Sequence, residues 1–305
     1  MTISVVIPTR DRSDSIVKTI ESVLENDHAA FELIVIDQSH DRRTEWAVRP
    51  FAGDGRLRYF HTTAQGVAQN RNDGIRLAVG EWIAMTDDDC QVPSDWLREI
   101  AAAFAANPRT GVVIGNVLAA PHDRRTGFIQ SYVRREPYLA RTIWEKHRIE
   151  GIGGNLAVKK NLWETLGGFD EMLGAGTPFC AAEETDFVIR ALLRGQAVYE
   201  TPRVWVTHSG FRTFEQGETL IQGYILGLTA MYAKHFKCAN WSVVIPFFHL
   251  VWRWAFQKPV VDFEHLPSRW LRLGGFARGM IGGMRTPVNR SKWIFENRCV
   301  EEQTS

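Results

Sequence analysis

Gly80-Glu81-Trp82-Ile83-Ala84-Met85-Thr86-Asp87-Asp88-Asp89-Cys90 decides how this chain is read. The apolar run from Trp82 to Met85 has the length and character of a short buried strand, and three consecutive aspartates follow its C-terminal end. Adjacent carboxylates repel and resist ionising together, so the triplet needs a cationic neighbour. A hard divalent ion held by carboxylate oxygens is the usual remedy, and such ions commonly carry nucleotide phosphates. In an open α/β sheet, ligands bind in the crevice beyond the strand C-termini. Taken alone, the triplet reads better as a solvated acidic turn capping a helix that starts near Ser94. The rest of the chain reverses that reading.

Working outward, the first 120 residues alternate strand and helix signals. Ile3–Ile7 is a β-branched run ended by Pro8; Ser13 or Asp14 is placed to cap a helix running to about Asn26. Phe31–Ile36 and Leu57–His61 are further strand candidates, and residues 66–79 read as a helix stopped by Gly80. Trp96–Ala106 reads as a helix and Gly111–Ala119 as a strand. Such alternation predicts a layered α/β sheet, mostly parallel, with crossover helices. Beyond it, residues 121–150 are rich in Arg and aromatic groups and read as an inserted loop or helix. Asn155–Lys159 reads as a short strand, Gly167–Glu171 as a turn, Thr185–Arg194 as a helix, and Ala197–Thr207 as an extended run ending at His208.

The remaining third differs. Thr213–Phe236 predicts a long helix, and Trp241–Phe256 is apolar and aromatic but interrupted by Pro246, His249 and Arg253. A spanning helix needs about 20 mostly apolar residues, which this run does not supply. Residues 268–298 interleave Arg269, Arg272, Arg278, Arg285, Arg290, Lys292 and Arg298 with aromatic and aliphatic groups, against a single acid, Glu296. That pattern suits either a segment lying on an anionic membrane surface or a helical cap with solvated cations. The expected organisation is therefore an α/β unit over 1–212, which would carry ligand binding and any catalysis, and a helical extension over 213–305.

Composition narrows the class. With 305 residues, 45% hydrophobic and 23% charged, the chain is an ordinary globular protein, and a net charge of +1 offers no field for nucleic acid. Cys90, Cys180, Cys238 and Cys299 lie far apart without CxxC spacing, which argues against zinc and against a disulfide framework. The apolar N-terminal run is too short for a signal peptide, so a cytoplasmic location, peripheral on the inner membrane face if the tail binds lipid, is the expectation.

Several motifs then fall in order: Ser4-Val5-Val6-Ile7-Pro8-Thr9-Arg10-Asp11-Arg12, Ile34-Val35-Ile36-Asp37-Gln38-Ser39, Gly66-Val67-Ala68-Gln69-Asn70-Arg71-Asn72-Asp73-Gly74, Asp87-Asp88-Asp89, Gly167-Gly168-Phe169-Asp170-Glu171, and Glu183-Glu184-Thr185-Asp186 with Arg190, then His208. The ordered set over roughly residues 2–210 resembles a family 2 glycosyltransferase of the GT-A fold. The resemblance implies a nucleotide-sugar donor, UDP-sugar first, a Mn²⁺ or Mg²⁺ ion, inversion at the anomeric carbon, and a saccharide or lipid-linked acceptor.

It also implies roles. Pro8 and Thr9, with Arg10 beside them, fall where the first loop of the family meets the nucleoside. Asp37 matches the second acid of the usual Val-Asp-Asp-Gly-Ser, which contacts the base; here Ile36 replaces the first acid and Gln38 the glycine. Arg71 matches the arginine of Ala-Arg-Asn-x-Gly near the nucleotide, with Asn70 in place of Ala. Asp87 is implied to face ribose and metal, Asp89 to ligate the metal, His208 to supply a third ligand, and Asp88 joins the nucleotide-binding set. Glu184 takes the place of the acid that faces the acceptor, with Glu183 and Asp186 as the other catalytic candidates. Asp186 reads equally as an i,i+4 partner of Arg190, and Glu183 and Glu184 as acids suited to a helix N-terminus, where the dipole keeps a carboxylate ionised. Two other readings compete: a nucleotidyltransferase, disfavoured because the loop after the first strand has no glycine, and a non-catalytic carbohydrate-binding protein. A dinucleotide-binding oxidoreductase is disfavoured because no G-x-G-x-x-G follows the first strand.

Overall fold

The computed structural model describes residues 1–256 and 268–296; Arg298 and Cys299 lie outside them. The elements are β1 (Ile3–Thr9), α1 (Ser13–Leu24), β2 (Phe31–Asp37), α2 (Arg43–Val48), β3 (Leu57–His61), α3 (Val67–Leu77), β4 (Trp82–Thr86), β5 (Cys90–Gln91), α4 (Trp96–Ala106) and β6 (Thr110–Ala119). There follow β7 (Gly127–Ile129), β8 (Tyr138–Ala140), β9 (Asn155–Lys159), α5 (Lys160–Leu166), α6 (Glu183–Leu193), β10 (Ala197–His208), β11 (Phe211–Thr213), α7 (Phe214–Lys237), α8 (Val244–Phe256), α9 (Arg269–Arg285), β12 (Val288–Asn289) and β13 (Ile294–Phe295).

Among the described residues the main sheet runs β3-β2-β1-β4-β9-β6-β10-β5, with β8 against β10. Its first four strands are parallel, and β10 is parallel to β6. β9 inserts antiparallel between β4 and β6, pairing Thr86 with Asn155. That register brings the Gly153-Gly154 turn beside the aspartate triplet, where Thr86 Oγ1 donates to the Gly154 carbonyl at 2.8 Å. β1 is buried along its whole length. Its Ile3, Val5 and Ile7 face the layer of α1 and α4, while Val6 faces the layer of α3 and α6. Burial on both faces explains why the strand is a continuous β-branched run rather than an alternating one. The turn before β4 needs Gly80, because a Cβ there would sit 2.7 Å from the Ser4 backbone nitrogen.

Some sequence expectations shift. α6 begins at Glu183 rather than Thr185, so both glutamates belong to its first turn. The 121–150 stretch holds β7, β8 and a 3₁₀ turn, Ile143–Arg148, closed by a capping box between Thr142 and Glu145. Pro246 does not break its segment; it sits in the first turn of α8, where no intrahelical N–H bond is lost. Among the described residues no helix is long and apolar enough to cross a membrane. α7 starts on a capping box between Thr213 and Gln216. Its Ala230, Met231 and Tyr232 share a core with Phe169 and Phe187 of the α/β layer.

Candidate active site

The loops after β1 and β4, the Gly153-Gly154 turn, the N-terminus of α6, and α7 and α8 surround a cleft of about 630 Å³. Its first wall is built on the aspartates. Asp89 sits at the centre: Oδ2 accepts from Arg12 Nη1 at 2.6 Å and Oδ1 faces His208 Nε2 at 3.2 Å. His208 Nδ1 donates to the Gln130 carbonyl at 2.8 Å, which fixes the tautomer. Nε2 therefore presents a lone pair toward a carboxylate unless a proton or a cation lies between them. Burial disfavours the charged imidazole, but the hydrogen bond and charge of Asp89 outweigh it and raise its pKa. Burial acts the other way on Asp89, yet His208 and Arg12 hold its carboxyl below the ordinary value.

Asp88 and Asp87 differ from Asp89 and from each other. Asp88 is buried and accepts from Thr9 Oγ1 at 2.7 Å. Burial pushes its carboxyl up to about 7, against the pull of Arg12 and Thr9. Asp87 is 39% exposed into the cleft and meets Arg71 Nη2 at 3.2 Å. A Cβ on Gly154 would lie 3.1 Å from Asp87 Oδ2, so the glycine turn leaves that carboxylate room.

The second wall is α6. Arg71, buried on α3, bridges the two walls: Nη2 reaches Asp87 and Nη1 reaches Glu183 Oε1 at 2.9 Å. Its Nε has no partner among the described residues. Glu184 lies beside Glu183, half-buried on the cleft. Burial and the neighbouring Glu183 push its carboxyl up to about 8, against the pull of Arg71. The helix N-terminus alone predicts an ionised carboxylate; desolvation overrides it here.

The predicted residues thus separate. Pro8, Thr9, Arg10, Arg71, Asp87, Asp88, Asp89, His208, Glu183 and Glu184 all line the cleft. Asp37 is not among the lining residues; it is fully buried, accepting from Tyr59 Oη at 2.6 Å and from the Ser39 nitrogen at 2.8 Å. Its neighbour Gln38 lines the cleft instead, holding both backbone groups of Gly66. Asp186 is also withdrawn. It is fully buried beneath α6, 2.7 Å from Arg190 Nε, 2.6 Å from Lys234 Nζ and 3.1 Å from His235 Nε2. The i,i+4 reading holds, and Asp186 has no face on the cleft. Of the three residues assigned to the metal, Asp89 and His208 face each other directly. Cys90, not Asp87, completes the group within 4.8 Å. Burial and the charges of Asp87 and Asp89 keep Cys90 a thiol, a poor ligand for a hard ion.

Sequence reasoning missed Arg12 as the partner of Asp89, and Lys146, Tyr224 and Tyr232 on the cleft. Arg12 stood in the quoted first motif. Lys146 stood in the Arg-rich insertion, where it donates to the Ile149 carbonyl at 2.9 Å and burial lowers its pKa. Nothing in the sequence marks the two tyrosines.

A family model described as Glycosyl transferase family 2 matches residues 4–165. This chain belongs to that glycosyltransferase family. The glucosyl-dolichyl phosphate glucuronosyltransferase of Haloferax volcanii is 24% identical over 237 residues, which is 73% of this chain and 76% of that protein. Among solved structures, S. aureus TarS 1–349 in complex with UDP-GlcNAc superposes with a TM-score of 0.65 at 18% identity, covering 92% of this chain and 82% of that one. The mannosyltransferase PcManGT from Pyrobaculum calidifontis, in complex with GDP-Man and Mn²⁺, gives a TM-score of 0.58 at 19% identity, covering 95% and 76%. The fold is GT-A, as the sequence resemblance implied.

Proposed function

We propose that this glycosyltransferase moves a sugar from a nucleotide-diphosphate sugar to the hydroxyl of a saccharide or lipid-linked acceptor, with inversion, in glycolipid or surface polysaccharide assembly. The observation that carries the reading is one cleft with two unlike acidic walls: Asp87 and Asp89 with His208 on one side, and on the other Glu183, paired with Arg71, beside Glu184.

Asp89 and His208 are the residues that would hold a Mn²⁺ or Mg²⁺ ion, with Asp87 the exposed carboxylate beside them. Their oxygen and imidazole donors suit such an ion, and the 3.2 Å approach of His208 Nε2 to Asp89 Oδ1, which needs a proton or a cation between them, supports the assignment. Bound there, the ion would act as a Lewis acid, stabilising charge on the departing diphosphate. Glu184 accepts the proton of the acceptor hydroxyl as its oxygen bonds to the anomeric carbon. The bond from that carbon to the phosphate oxygen breaks, and the nucleoside diphosphate leaves with the electron pair. A carboxyl lifted to about 8 suits this work, because a base is most effective when its pKa lies near the working pH. Arg71 ties the two walls, holding Asp87 and Glu183 in one frame. Thr9 and Arg10 stand where a nucleoside would enter.

The test is a screen of uridine, guanosine and thymidine diphosphate sugars for turnover with Mn²⁺ or Mg²⁺, followed by product stereochemistry. Turnover that disappears in excess chelator and gives the inverted linkage is expected. Full activity with chelator present, or retention of configuration, overturns the reading.

A further inference from the structure

α8 and α9 each turn an apolar stripe outward. On the α8 side Trp241, Ile245, Phe248 and Trp252 follow the spacing i, i+4, i+7, i+11 and are exposed. On α9, Trp270, Leu273, Ile281 and Met284 lie along one face, from 47% exposed at Met284 to 83% at Trp270. Single exposed apolar groups are ordinary, but aligned stripes on two contacting helices form a patch.

The inner faces of both helices are already committed. α8 lines the cleft with Pro246, His249, Leu250 and Arg253. α9 lies against α7 along Gly275, Gly279 and Gly283. A Cβ at Gly279 would fall 1.9 Å from Thr229 Oγ1, and one at Gly283 2.5 Å from the Ala230 carbonyl. The glycine stripe fixes the rotation of α9, so its apolar face cannot turn inward.

The charge around the patch identifies what covers it. α9 carries Arg269, Arg272, Arg278 and Arg285 and no acid, and over residues 268–296 only Glu296 is acidic against these four, Arg290 and Lys292. A second copy of this chain, docked by a two-fold axis, would bring arginines against arginines with little to pair them. An anionic bilayer answers both features. Tryptophans and aliphatic groups enter the headgroup layer, and the exposed Arg278 and Arg285 meet lipid phosphates, while Arg272 turns inward to the Trp254 carbonyl.

We propose that α8 and α9 dock the protein on the surface of an anionic membrane, with α8 standing between the lipid headgroups and the cleft. Nothing in this depends on which sugar is transferred. No described helix is both long and apolar enough to span, so the attachment is reversible and sensitive to salt.

The experiment is flotation of the full chain with vesicles of phosphatidylcholine, with and without about one third phosphatidylglycerol. The variants are Trp270→Ser combined with Ile281→Ser, Phe248→Ser, and Arg278→Gln combined with Arg285→Gln. Expected are binding to the anionic vesicles only, loss with rising salt, and partition at least about tenfold weaker in the double apolar variant. Thermal melting and turnover of a water-soluble acceptor should be unchanged, because these side chains are exposed and away from the cleft. Failure of the wild type to bind, equal binding by the variants, or a variant that dissolves a dimer in light scattering without altering vesicle binding overturns the proposal.

Discussion

Two clusters of charge meet on α6 and are built on opposite rules. Beneath the helix, Asp170 and Asp186 face Lys234 and Arg190, all fully buried, with His235 as a further partner. Two carboxylates meet two cations. At the N-terminus of the helix, Asp87, Asp88, Asp89, Glu183 and Glu184 share two guanidiniums, Arg12 on Asp89 and Arg71 on Asp87 and Glu183. Asp88 and Glu184, the two carboxyls left without a guanidinium, are pushed up to about 7 and about 8. The residue types are the same in both places; balance and burial differ. The balanced cluster is internally satisfied, and the cleft carries more carboxyl groups than cations, the surplus that the proposed ion and proton transfer would use.

The comparison breaks most visibly at Lys234. Lys234→Met leaves Asp170 and Asp186 short of their shared cation, and removing one partner of a buried pair costs about 3–5 kcal/mol. A denaturant titration should show that loss, whereas the cleft residues should still bind donor in whatever fraction remains folded. Asp89→Asn should do the reverse. Transfer should fall by about 10²–10³-fold, the usual worth of one group stabilising charge in a transition state. Melting should move little, since relief of repulsion with Asp88 offsets the lost pair with Arg12. A large loss of stability in Asp89→Asn would place it with the structural cluster.

Glu184→Gln should lower transfer by at least about 10²-fold with donor affinity unchanged. In the wild type, transfer should climb as pH rises toward about 8, where Glu184 loses its proton, and the variant should lack that limb. If Glu183→Gln is dead and Glu184→Gln active, with donor binding intact in both, the base is misassigned.

The smallest effect is acid sensitivity. Burial opposes the charge of Asp186, but Arg190 and Lys234 outweigh it and hold the carboxyl well below the ordinary range. Its contribution is present above the unfolded pKa and fades as pH falls. Between pH 5 and pH 3 it should account for about 1 kcal/mol of lost stability, absent in Asp186→Asn.

Much of this was legible in the chain. β4, β9 and α4 fall at the residues their apolar runs and stops predict, because each is set by local pattern and by a glycine or proline. The acidic wall was legible for the same reason: Asp87–Asp89 are consecutive. α2 and β5 were missed, being six and two residues long with no periodicity to find. The withdrawal of Asp37 could not be read, whereas Asp186 had its i,i+4 partner Arg190 in the sequence and only its partners on α7 were hidden. Tyr59 is 22 residues from the first, and His235 is 49 from the second. Only the folded sheet brings such partners together. Motif position suggested that Asp37 faces a ligand; in the structure it is fully buried with its hydrogen bonds satisfied.

The same distances govern how the molecule is made. Lys234 lies 64 residues beyond Asp170, and the Phe295 nitrogen that donates to Asp170 Oδ2 at 2.8 Å lies 125 beyond it. A ribosome adding about 5–20 residues per second delivers Phe295 about 6–25 s after Asp170. Asp186 lacks its final partners until Lys234 and His235 have been made, and Asp170 lacks one of its own until Phe295 follows. Completion of this buried charge cluster therefore waits on α7 and the β12–β13 hairpin, and chains truncated before them should be more readily cleaved in limited proteolysis than the full chain.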